Sequence, residues 1–90
     1  MGTALIKIKL MPTSPETDLE EIKTKAEEAI KETGGEKSSF EEEPVAFGLK
    51  AVIASFALDE EKSLDAVEEK LKTVENVNSV QVIDMRRAFG

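Results

Sequence analysis

Cysteine, histidine, tryptophan and tyrosine are all absent from this 90-residue chain, and four phenylalanines are its only aromatic residues. Without cysteine there is no disulfide framework, thiol nucleophile or thiolate metal site. Without histidine the usual general base and the commonest metal ligand are missing too. Any chemistry must come from carboxylates, lysines, hydroxyls and two arginines, which disfavours a small hydrolase. Long apolar runs are lacking as well, and none approaches the roughly 18 residues that a bilayer span requires. The opening MGTALIKIKL is interrupted by Lys7 and Lys9, so it is not expected to act as a signal peptide. Gly2 is followed by Ile6 where a myristoylation signal needs Ser or Thr. The expected location is the cytoplasm, with no membrane contact.

What is present is a single-domain length with 40% apolar and 34% charged residues. That balance suits a soluble folded domain and is too apolar for a disordered one. The net charge of −7 is unevenly placed. Residues 16–43 hold eleven acids against four lysines, and residues 59–75 hold seven against three. These are read as solvated helix faces and a charged edge. The remainder is basic: Lys7, Lys9, Lys50, Arg86 and Arg87 face only Asp84. An acidic chain repels nucleic-acid phosphates, so direct nucleic-acid binding is not expected unless those basic residues form one surface.

ALIKIKL alternates with period two and reads as a half-buried strand with Ala4, Ile6, Ile8 and Leu10 on one side. Pro12 and Pro15 end it. Asp18 with Glu21 resembles a capping box, and Leu19, Ile22, Ala26, Ala29 and Ile30 follow at helical spacing up to Gly34–Gly35. An edge strand over residues 37–43, stopped at Pro44, tolerates the glutamates 41–43 because charge on an outer edge discourages further pairing. LKAVIASFAL reads as a central strand with Val52, Ala54, Phe56 and Leu58 toward the helices. Ser63 is the expected cap of a second helix carrying Leu64, Val67, Leu71 and Val74. SVQVIDMRR closes the chain as a strand with Val80 and Val82 inward and Gln81 outward.

This strand–helix–strand–strand–helix–strand order predicts an α+β, ferredoxin-like sandwich: one four-stranded antiparallel sheet of order 4-1-3-2, with both helices on one face. Residues 1–90 then form one domain. Such sandwiches host many functions, so activity must be argued from sites. A metal carrier of this shape has Cys-x-x-Cys in the first loop, where this chain has MPTSPETD. An RNA-recognition sheet needs aromatics on its first and third strands, and only Phe56 is available. Glu41 and Glu43 share a strand face, but two carboxylates alone make a weak metal site. The acids at 59–61 suit the positive end of the following helix. No catalytic residue, metal site or cofactor is expected. A ligand-sensing or assembly module, dimerising through a strand edge, stays open.

Three stretches, MPTSPETDLEEIK, EEEPVAFGLKA and VNSVQVIDMRRAF, resemble in order and spacing the archaeal form of translation elongation factor one-beta. The similarity covers nearly the whole chain. It implies a guanine nucleotide exchange factor, expected as a monomer, acting on the GDP-bound elongation factor one-alpha type GTPase that delivers aminoacyl-tRNA. In that family the end of the last strand docks near the nucleotide, and a basic side chain intrudes on the magnesium and phosphate site. The resemblance places Arg87 at that position, with Arg86 beside it, where the longer eukaryotic relatives carry lysine. Phe89 is then either an apolar anchor in the partner or a fold-back onto Leu5 and the edge strand. The competing reading makes Arg86 and Arg87 a solubilising tail, paired with Asp84 or with the acids that open the second helix. Guanidiniums turned inward and locked there would remove the docking reading. Pro44, Phe47 and Gly48 are expected to be scaffold, with Pro44 ending a strand, Gly48 taking positive φ and Phe47 packed.

Overall fold

The computed structural model describes residues 2–88. The elements are β1 (Thr3–Pro12), α1 (Leu19–Glu32), β2 (Glu36–Pro44), a 3-10 turn (Ala46–Gly48), β3 (Lys50–Asp59), α2 (Leu64–Lys72) and β4 (Val77–Ala88). All strand pairings are antiparallel, and the sheet order is β2-β3-β1-β4, the expected ferredoxin-like arrangement. Among the described residues no helix is long and apolar enough to cross a membrane.

Local signals account for the helix ends. Asp18 Oδ1 accepts a hydrogen bond from the Glu20 backbone N–H at 3.0 Å, and Ser63 Oγ accepts one from Ala66 N–H at 3.2 Å. The reciprocal bond expected from Glu21 is not made among the described residues. Helix α1 stops in a Schellman motif: Gly35 N–H donates to the Ile30 carbonyl at 2.8 Å and Gly34 N–H to that of Lys31 at 3.2 Å. Gly34 takes φ 98°, and a Cβ on Gly35 would overlap Ile30 Cγ2 and lie 3.2 Å from the Ile30 carbonyl oxygen. Gly35→Ala is therefore expected to destabilise the fold by about 1–3 kcal/mol, as overpacking against backbone does, measurable by urea unfolding.

The core lies between the helices and the two central strands. Ile6, Ile8 and Leu10 of β1 and Val52, Ala54, Phe56 and Leu58 of β3 pack on Ile22, Ala26, Ala29 and Ile30 of α1 and Val67 and Leu71 of α2. The inward parity expected for β3 is the one observed. The edge strands add only partly buried Phe40, Val77, Val80 and Val82. On the helix-free face Ile53 is still buried. Its cross-strand neighbours are Lys9 and Glu41, whose aliphatic stems can lie over it while their charges reach water.

Alternation sends Glu42 to the opposite face from Glu41 and Glu43, toward α1. There Lys23 Nζ lies 2.8 Å from Glu42 Oε2 and 2.9 Å from Glu20 Oε2. The hydrogen bond from Lys23 holds the Glu42 carboxyl below the usual carboxylate range, and the bond to Glu42, then that to Glu20, raises Lys23. A carboxyl whose folded pKa is depressed stabilises above its unfolded value and loses that contribution as pH falls through the folded one. Glu42→Gln is therefore expected to melt at lower temperature than the parent at pH 7. The difference should close on acidification below the ordinary carboxylate range.

Candidate functional site

Consecutive residues of a strand project to opposite faces. The register with β1 sets Arg86 opposite Leu5 and Arg87 opposite Ala4. Arg86 is thus on the helix-free face, and Arg87 is on the helix-bearing face. A bulge decides this. Val82 pairs with Ile8 and Asp84 with Lys7, so Ile83 is an extra residue that reverses the alternation beyond it. The two arginines are neighbours in sequence but leave the strand toward opposite faces, while both line the cleft at its end. Met85 is reversed with them: it pairs with Ile6 on the helix-bearing side and is 61% exposed.

Among the described residues each guanidinium has one acidic partner. Arg87 Nε donates to Glu60 Oε2 at 2.6 Å, and Arg86 Nε lies 3.1 Å from Asp84 Oδ2. Both pairings were among those expected of a solubilising tail. Neither arginine is turned inward, since both side chains are 76% exposed. Solvent-facing pairs of this kind contribute about 0–1 kcal/mol, too little to withhold an arginine from a docked partner. Beneath Arg87 is an open cleft of ≈ 430 Å³, with Ala4, Ile6, Leu58, Leu64 and Met85 as its apolar wall. Phe89 lies outside the described residues.

The opposite end of the sheet corrects another expectation. Phe47 does not pack; it is 93% exposed and has φ 63°. Two bonds hold the turn around it, from Val45 N–H to the Leu49 carbonyl at 2.8 Å and from Leu49 N–H to the Ala46 carbonyl at 3.3 Å. Gly48 follows with φ 74°, and Pro44 ends β2, both as expected. Left-handed backbone is unfavourable for a residue with a Cβ, so the turn holds an aromatic ring in water at a conformational cost. Sequence reading missed this because an aromatic between a strand and a glycine looks like core. Nine residue steps of β3 separate the two ends, about 30 Å.

The basic residues do not merge into one surface. Lys7, Lys9 and Arg86 share the helix-free face with Asp84, Glu41 and Glu43, and Arg87 is on the other. What the geometry offers is two exposed guanidiniums at a strand end, one toward each face, and one exposed ring at the far end. Set against known proteins, residues 5–88 match the EF-1 guanine nucleotide exchange domain. The chain belongs to that family. It is 42% identical over 88 residues to Elongation factor 1-beta of Methanothermobacter thermautotrophicus, covering 97% of this chain and 98% of that protein. Elongation factor 1-beta of Methanosarcina barkeri is also 42% identical over 88 residues, at 97% and 99% coverage. That of Methanococcus maripaludis strain C7 is 36% identical over 86 residues, at 94% and 97%. The region matched to the EF-1 exchange domain takes in Phe47, Glu60, Arg86 and Arg87.

Proposed function

We propose that this chain is the exchange factor of an elongation factor 1-alpha type GTPase in the cytoplasm. In this reading it binds the GDP-bound form as a monomer and inserts the end of β4 beside the metal and phosphates. The observation that carries the proposal is Arg87: a permanently charged fork at an open strand end, 76% exposed and held by one weak ion pair. Both arginines line the cleft that contains Ala4 and Leu58, and of the two it is Arg87 that pairs with Ala4 on the helix-bearing face.

Magnesium bridges phosphate oxygens in such GTPases and neutralises their charge. A guanidinium brought to the same oxygens offers them a competing cation, weakening the bridge and speeding GDP release. No covalent bond is made or broken in this step. Coupling between two ligands of one protein is reciprocal, so GTP rebinding with its metal must weaken the factor's own hold. The exposed Phe47 supplies a second contact about 30 Å away. Two contacts so far apart fix the orientation in which Arg87 arrives.

The decisive test is release of a fluorescent GDP analogue from the cognate GTPase. Addition of this chain should accelerate it, and an unchanged rate would end the reading. A ligand-sensing or assembly module would instead dimerise through a strand edge. Both edges carry charge, glutamates on β2 and the bulged, arginine-bearing end of β4, which disfavours that pairing. Sedimentation is expected to give the monomer mass.

A further inference from the structure

The side chain of Glu60 is not needed by the turn that contains it. Asp59 Oδ1 accepts from Glu61 N–H at 2.9 Å, Lys62 N–H donates to the Asp59 carbonyl at 2.9 Å, and Ser63 caps α2. Glu60 reaches sideways instead. Its backbone N–H donates to the Gly2 carbonyl at 2.9 Å, tying the turn to the start of β1. Its carboxylate then lies across Gly2: a Cβ there would overlap Oε1 and sit 2.7 Å from Cδ. From this position Oε2 takes the hydrogen bond of Arg87 Nε. Three segments far apart in the chain thus meet at one place, and the missing side chain of Gly2 leaves the room.

The partners are unequally placed. The Glu60 side chain is 33% exposed and that of Arg87 76%, so the acid sits lower and the guanidinium stands on it. The contact uses Nε; among the described residues the terminal nitrogens of Arg87 donate to nothing. Those nitrogens are the ones a partner's phosphate or carboxylate engages as a fork. A long, exposed arginine otherwise samples many rotamers, and ordering it on docking opposes binding.

The geometry points to Glu60 as a positioning residue that holds Arg87 in its outward presentation, with Gly2 as the position that admits the carboxylate. This inference rests on the exchange reading above. A brake is the opposite reading of the same contact, but an exposed single-contact pair is too weak for one.

The test measures GDP release from the GTPase against the concentration of the full chain, giving a maximal rate and a half-saturating concentration. Glu60→Ala is expected to lower the maximal rate by up to about fivefold, the most that an exposed pair worth about 1 kcal/mol supplies, while half-saturation is unchanged within about twofold. Glu60→Gln loses the charge but keeps an acceptor for Nε, and should return the rate to within about twofold of the parent. Gly2→Ala crowds the carboxylate, and because the end of a flexible side chain can give way, its rate should fall between the parent and Glu60→Ala. In NMR spectra the Arg87 Nε–Hε signal should be protected from solvent exchange in the parent and in Glu60→Gln, and lose protection in Glu60→Ala. If Glu60→Ala keeps the parental maximal rate while Arg87→Ala abolishes acceleration, the positioning role is overturned and the exchange reading stands. If Arg87→Ala accelerates release fully, the exchange reading itself fails. An Nε–Hε signal equally protected without Glu60 overturns the positioning role independently of any GTPase.

Discussion

Arg87→Ala is expected to lose most of the acceleration of GDP release, about a hundredfold in maximal rate, while remaining folded. The size follows from what is removed: a single preorganised cation aimed at developing or exposed phosphate charge is typically worth about two to three powers of ten. The stability expectation follows from exposure. Arg87 is outside the core and makes one solvent-facing ion pair, so the substitution should shift unfolding by only about 0.5 kcal/mol. Arg87→Lys keeps a charge but loses the fork and the Nε bond to Glu60, and should fall between the two. Arg86→Ala separates the arginines, because Arg86 faces the other side of the sheet. It should retain more activity than Arg87→Ala, and an Arg86 variant with the larger loss would assign the intruding group to the wrong residue. Stopped-flow nucleotide release with urea unfolding of the same preparations reads both quantities.

Phe47→Ala should separate binding from stability in another way. A ring 93% exposed contributes no burial to the folded monomer, and alanine meets the same left-handed backbone, so stability should change by only about 0.5 kcal/mol. If the ring docks in the GTPase, its loss should raise the half-saturating concentration about tenfold or more, the range of aromatic anchors at protein interfaces. The maximal rate should be nearly unaffected, because Phe47 is remote from Arg87. A variant that unfolds, or one with parental half-saturation, would return Phe47 to the scaffold role that its sequence context suggested.

The sequence made much of the architecture legible because its local signals agree. The two-residue alternation in β1, the helical stripes, the caps at Asp18 and Ser63 and the paired glycines after α1 all point to the element order and to inward parity in β3. Long-range backbone detail was not legible. No glycine or proline marks the extra residue at Ile83, since the bulge arises only when β4 pairs with β1, yet it decides the face on which each arginine stands. Phe47 escaped for a related reason: a positive φ on a residue with a side chain depends on how two strands close their turn. Glu60 was read as one of three acids suited to a helix start. Its contact with Arg87 spans 27 positions and depends on an opening at Gly2 that only the assembled sheet provides. In each case the missing information was a pairing between distant segments.

That distinction bears on function. The family and fold follow from features spread along the whole chain, whereas the proposed intruding charge depends on one bulge, one glycine and one acid. Natural variation at Ile83, Gly2 or Glu60 would therefore alter exchange while leaving the core of Ile8, Ile30 and Leu71 untouched.

The most direct measurement is the dependence of GDP release on free magnesium, with the GTPase alone and with saturating factor. If Arg87 acts by displacing the metal from the phosphates, acceleration should be large at millimolar magnesium and nearly vanish under chelation, where the GTPase has already lost its metal. Equal acceleration with and without magnesium would contradict the account.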